Sequence, residues 1–172
     1  ASTGNDTITG GAGADNIILA SGTNSITDLG VGGDFDIVTV ASDATVVATA
    51  AGAWSATSAT DNAGVDAAAF TINVGSAGAV DLTSAGVSSA GYAVVSTGTS
   101  AVTGSASSDT LTNTLGAASM TGLAGIDTFI ATAGALTITD LGVGGDSDIV
   151  TVASGATVVA TAAGAWSATS AT

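Results

Sequence analysis

Apolar and polar positions alternate along this chain in short runs rather than in helical stripes. Phe70-Thr71-Ile72-Asn73-Val74 places every second side chain on one face, and Val38-Thr39-Val40 does the same. Alternation of this kind predicts half-buried strands. Val80-Asp81-Leu82 and Tyr92-Ala93-Val94-Val95 predict two more. Glycines and the run Asp61-Asn62-Ala63-Gly64 separate these segments as turns do. The alanines of residues 48–60 tolerate helix, but Thr, Ser and Gly52 oppose it, so strand and loop are expected there. The fold class that follows is all-β.

A second pattern overlies the alternation. Residues 1–27 divide into three nonapeptides with a large apolar residue at the eighth place: Ile8, Ile17 and Ile26. The middle one reads Gly10-Gly11-Ala12-Gly13-Ala14-Asp15-Asn16-Ile17-Ile18. The first keeps Gly4 and Asp6, and the third has Asn24 at the aspartate place. Residues 104–139 form four more units, with Leu111, Met120, Phe129 and Ile138 at the eighth place. Asp109 and Asp127 hold the sixth place in two of these. Ala118 and Leu136 hold it in the others, whose turns should be dry.

A third, longer period is the clearest. Residues 26–60 and 138–172 align at an offset of 112 with two differences, Phe35/Ser147 and Asp43/Gly155. The same offset carries Asp15 onto Asp127, but Asp6 onto Ala118. The chain therefore holds about one and a half copies of a tandem unit. It opens in the middle of a pattern, as a window on a longer protein would.

Composition narrows the chemistry. There are 14 acidic residues, all aspartate, and no Glu, Lys, Arg, His, Cys or Pro, giving a formal charge of −14. No side-chain salt bridge is possible, so a compact state must bear self-repulsion or recruit an external cation. At 46% hydrophobic the chain is not a disordered acidic tail. Without His, Cys or Lys the usual nucleophile–base pairs cannot be built, so no enzyme is expected. Zinc, copper and heme lose their normal ligands. Without Arg or Lys, nucleic acid is not a partner. No apolar run reaches transmembrane length. Asp28, Asp34 and Asp36, and again Asp140, Asp146 and Asp148, crowd glycine-rich turns with no basic neighbour, which calls for a hard cation. Asp43, Asp61, Asp66 and Asp81 read as solvated or capping residues. Trp54 and Trp166 read as core.

The pattern G-G-x-G-x-D-x-U-x at 10–18, with U a large apolar residue, resembles the calcium-binding nonapeptide of the RTX (repeats-in-toxin, hemolysin-type) family. Ile-Thr-Asp-Leu-Gly-Val-Gly-Gly-Asp-x-Asp-Ile-Val, at 26–38 and 138–150, is similar to a segment that often closes a block of RTX repeats. The resemblance implies a right-handed parallel β-roll, or β-solenoid, in which each coil takes two nonapeptides and residues 18 apart stack. Asp109 and Asp127 have that spacing, as do Asp6 and Asn24. Asp15 to Asp34 and Asp127 to Asp146 span 19, which suggests one inserted residue. At 18 residues per coil the 112-residue unit would hold about six coils and advance roughly 30 Å. The bound ion implied is Ca2+. Its expected ligands are Asp6, Asp15, Asp109 and Asp127, the glycine turn of Gly11 and Gly13, and Asp28, Asp34, Asp36, Asp140, Asp146 and Asp148 in the closing turns.

Expected organisation is a β-roll block over 1–36, a β-rich segment over 37–103 continuing the solenoid, a second block over 104–148, and the start of another intervening segment over 149–172. The expected function is structural: an extracellular filament, surface layer or biofilm matrix, rigidified by calcium and built from copies of the chain. Type I secretion would deliver it unfolded, and calcium outside the cell would fold it. Affinities of extracellular calcium modules, about 10⁻⁴–10⁻³ M, suit that setting. One alternative is the stalk of an RTX adhesin bound to a surface, cell-surface glycan or ice. The other is the secretion repeats of an RTX enzyme.

Overall fold

The computed structural model describes residues 2–33, 35–76, 78–86, 90–145 and 147–166. The chain is all-β, and its parallel strands stack as a β-solenoid of about seven turns. The first turns are made by β1 (Ser2–Thr3), β2 (Thr7–Ile8), β3 (Asn16–Leu29) and β4 (Ile37–Ala50). The middle is made by β5 (Trp54–Ser55), β6 (Asp61–Asn62), β7 (Phe70–Val74) and β8 (Ala79–Asp81). β9 (Ala93–Ser96), β10 (Ala101–Thr103), β11 (Thr110–Asn113) and β12 (Ala117–Thr121) follow. β13 (Thr128–Ala131), β14 (Ala135–Leu141), β15 (Ile149–Val152) and β16 (Thr157–Ala162) close the rod. The run expected to be a strand at 70–74 is β7, and 48–60 is strand and loop, as its composition suggested.

Three stacks of strands run along the rod. One extends its whole length through the ladder Ile8, Ile26, Ala48, Ile72, Val94, Leu111, Phe129 and Val150. We call it the long stack. Each rung is an apolar inward position, and Ile26, Ile72, Val94, Leu111 and Phe129 are buried. Each such side chain contributes about 1.5–3 kcal/mol by leaving water. A second stack faces it near the amino terminus, through Leu19, Val40 and Asn62. A third takes over from Trp54 onward, through Val80, Val102, Met120, Ile138 and Ala160.

The handover between facing stacks explains the aromatic residues. Coil length, read along the long ladder, is 18 residues from Ile8 to Ile26, 22 to Ala48, 24 to Ile72 and 22 to Val94. It returns to 17 and 18 from Val94 through Leu111 to Phe129. Longer coils enclose a wider section, and small side chains cannot fill it to protein density. Trp54, Phe70 and Tyr92 fill it, with ring centroids 6.4 Å and 5.6 Å apart. The Trp54 indole N–H donates to the Asp36 carbonyl at 3.0 Å, and the Tyr92 hydroxyl to the Thr60 carbonyl at 3.3 Å. The facing stack near the amino terminus ends at Asn62. Its buried side-chain amide donates to the carbonyls of Gly91 (2.6 Å) and Asp66 (3.2 Å), taking the place of another strand. Because of these long coils the 112-residue unit holds five and a half coils, about 26 Å of rise, rather than six.

Candidate calcium turns

Four of the nonapeptide turns, those of Asp6, Asp15, Asp109 and Asp127, are tied to the coil that follows. The backbone N–H of the residue at the sixth place donates to the side chain at the corresponding place one coil on. Asp6 N–H reaches Asn24 Oδ1 at 3.3 Å, and Asp109 N–H reaches Asp127 Oδ1 at 2.8 Å, each across the 18 residues expected. Tyr92, in an intervening coil, joins the same column by donating to Asp109 Oδ1 at 2.7 Å.

The closing turns depart from the expected spacing. Asp15 N–H donates to Asp36 Oδ1 and Asp127 N–H to Asp148 Oδ1, both at 3.0 Å and both across 21 residues rather than 19. Three residues are inserted, not one, because each closing turn contains a tight 3-10 turn, Val31–Gly33 or Val143–Gly145. Asp34 and Asp146 lie outside the described residues. The second oxygen of Asp36 accepts from Gly30 N–H at 2.9 Å, and that of Asp148 from Gly142 N–H at 2.7 Å. Asp28 clamps the start of the preceding turn, accepting from Gly10 (3.0 Å) and Gly11 (2.7 Å). Asp140 does the same with Gly122 (2.9 Å) and Leu123 (2.7 Å). Each six-residue turn is therefore held at one end by one carboxylate and at the other end by a second.

Two turns built this way, 10–15 and 122–127, share a backbone. Gly11 and Gly13 have φ of 94° and 112°; Leu123 and Gly125 have 75° and 113°. Leu123 is strained there, since a side chain disfavours the left-handed region. Both turns also leave one carboxylate oxygen buried without a hydrogen bond, Asp15 Oδ2 and Asp127 Oδ2. A side chain at Gly10 would collide with the first of these, and one at Gly122 with the second. An orphaned, buried anionic oxygen costs free energy unless a cation meets it. Burial pushes the Asp127 carboxyl up to about 8, and the charges of Asp109, Asp148 and Asp140 add to the rise. Among the described residues no three carboxylates converge on one point. A cation here would draw on one orphaned oxygen together with backbone carbonyls, the mixed hard-oxygen set that calcium takes and transition metals do not.

The Asp109 turn differs. Its carboxylate accepts from Tyr92 N–H, from Ser105 N–H at 2.6 Å and from the Ser105 hydroxyl at 3.1 Å to each oxygen. No residue from 104 to 109 has positive φ. Burial raises its carboxyl to about 6, against the lowering effect of these hydrogen bonds. Nothing in the nine-residue pattern pointed to Ser105. The signal available was serine at the second and fourth places, Ser105 and Ser107, where the full motif has glycine. The remaining aspartates are local. Asp66 caps the turn Ala67–Ala69 by accepting from Ala69 N–H, and Asp81 accepts from Thr83 N–H.

No helix among the described residues is long and apolar enough to cross a membrane. No curated protein and no solved structure matches the chain. Residues 1–26 match the family model of the RTX calcium-binding nonapeptide repeat (4 copies). The turns at the amino-terminal end are thus RTX nonapeptides, and the chain as a whole is consistent with an RTX-family repeat protein.

Proposed function

We propose that this chain is a structural repeat protein of an extracellular filament, surface layer or biofilm matrix, whose end coils are closed by calcium. The observation that carries the reading is the pair of orphaned oxygens, Asp15 Oδ2 and Asp127 Oδ2, in two turns of one backbone shape. One ion would sit between the turn at 10–15 and the closing turn at 28–36. A second would sit between 122–127 and 140–148. Asp15 and Asp127 would be its anionic ligands, glycine-turn carbonyls would complete it, and Asp28, Asp36, Asp140 and Asp148 would shape the turn through their N–H bonds. Calcium supplies two positive charges where the chain has no side-chain cation of its own. The site does not exist in the unfolded chain, so binding free energy becomes folding free energy. Secretion in an unfolded state through calcium-poor cytosol, and folding outside, accords with this. Strand edges at the ends of a rod favour addition of further coils, in the same chain or in another copy.

Chelator titration tests the proposal. Excess EGTA is expected to diminish the strand signal in circular dichroism and to disperse particles seen by electron microscopy, with recovery on adding calcium. Strand signal and particles that ignore EGTA would overturn it.

A further inference from the structure

We propose that Ser105 takes the place of a metal ion at the Asp109 turn, so that the coils from residue 54 to residue 121 hold together without calcium while the turns at Asp15 and Asp127 require it. This rests on the calcium reading of the two glycine turns and adds a division of labour to it.

Two independent observations support the division. First, both Asp109 oxygens are fully engaged by protein donors, whereas Asp15 and Asp127 each keep an orphaned oxygen. The Ser105 hydroxyl bridges both oxygens of one carboxylate and itself accepts from Ser107 N–H at 3.1 Å. A hydroxyl placed so does locally what a cation would do, with a hydrogen bond in place of a charge. Second, the turn lacks the left-handed residues that give the other two turns their shape, so its carbonyls follow a different course.

The same coils hold the chain's ring-on-ring contacts. Trp54, Phe70 and Tyr92 form one cluster, and Asn62 is satisfied within it. Between Asp36 and Asp127 no buried carboxylate oxygen among the described residues lacks a partner. The middle of the rod thus combines a cluster of three rings with carboxylates of which no buried oxygen is orphaned, although the buried Asn113 Oδ1 there has no partner. It would serve as the nucleus on which calcium zips the ends.

Hydrogen exchange of the full chain, read by mass spectrometry in calcium and in excess EGTA, tests this. Exchange rates report the local opening free energy, and a tenfold change is a clear loss of protection. Amides of β7, β9 and β11 are expected to stay within about twofold of their calcium rates in EGTA, while those of β3, β13 and β14 exchange at least about tenfold faster. Loss of protection everywhere at once would overturn the division while leaving the calcium reading intact. No change anywhere would overturn the calcium reading and the division with it. Ser105→Ala adds a second readout. β9 and β11 are expected to lose protection in both buffers, because no ion sits at that turn to restore it. Rescue of Ser105→Ala by calcium would mean that an ion does sit there, and would sink the proposal.

Discussion

Asp15 and Asp127 stand at the same place in the 112-residue unit, yet they lie at opposite ends of the strands of the long stack. Asp127 directly precedes Thr128, a rung of that stack. Asp15 hydrogen-bonds Asp36, in the turn that follows Leu29 at the stack's other end. Five and a half coils separate the two aspartates, and the half coil moves the acidic turn from one edge of the rod to the other. The chain thus carries its two glycine turns on opposite edges.

Distances between spin labels should reveal the switch. Labels at Thr23→Cys and Ile126→Cys lie in one column, five coils or about 24 Å apart. Labels at Ala14→Cys and Ile126→Cys differ by the full repeat offset, and a strand width of about 20 Å is added sideways, for about 33 Å in all. Electron–electron double resonance is expected to rank the second pair as the longer. The reverse order would mean that the unit preserves its edge.

The N–H clamps can be weighed separately from the ion. Asp140→Ala removes two charge-assisted bonds from a largely buried carboxylate, and is expected to cost about 3 kcal/mol in denaturant unfolding with calcium present. Asp28→Ala removes the matching pair at a more exposed place and should cost less. Equal losses would argue that burial does not govern these bonds.

Glycine is required at the first place of each turn by the carboxylate above it, not by backbone angle. Gly122→Ala is expected to displace Asp127 Oδ2, costing about 1–3 kcal/mol and weakening calcium binding measured by calorimetry. Gly75→Ala meets nothing within 4 Å and needs no left-handed backbone. It should be neutral or stabilise by about 0.4–1 kcal/mol. A Gly122→Ala protein that binds calcium like wild type would remove the steric argument.

Acid should stabilise the metal-free chain. In the fold the Asp109 carboxyl rises to about 6 and that of Asp127 to about 8, from an ordinary 3.8. A raised folded value means that the native state holds protons the unfolded chain has released. Their contribution is therefore whole below about pH 4 and is lost as pH climbs through 6 and 8. Melting of metal-stripped protein is expected at lower temperature with each step from pH 4 to pH 8. Calcium should flatten or reverse the slope, since it favours the ionised carboxylate. A metal-free melting point that rises over this range would contradict the burial of Asp127.

Much of this fold could be read along the chain, because its determinants are local. Alternation over Phe70–Val74 fixes a strand whatever lies beside it, and Gly10-Gly11-Ala12-Gly13-Ala14-Asp15 fixes a turn through backbone freedom and one carboxylate. The 18-residue stacking of Asp109 on Asp127 follows from two such nonapeptides in a row. Tertiary structure alone decided what depends on coil length. The 3-10 turns lengthen the closing coils so that Asp36 meets the Asp15 N–H, and the widened middle coils took up Trp54, Phe70 and Tyr92 and shifted the second block by half a turn. The physical reason is that a repeat in sequence counts residues, whereas a repeat in space counts strands. The two agree only while every coil has the same length.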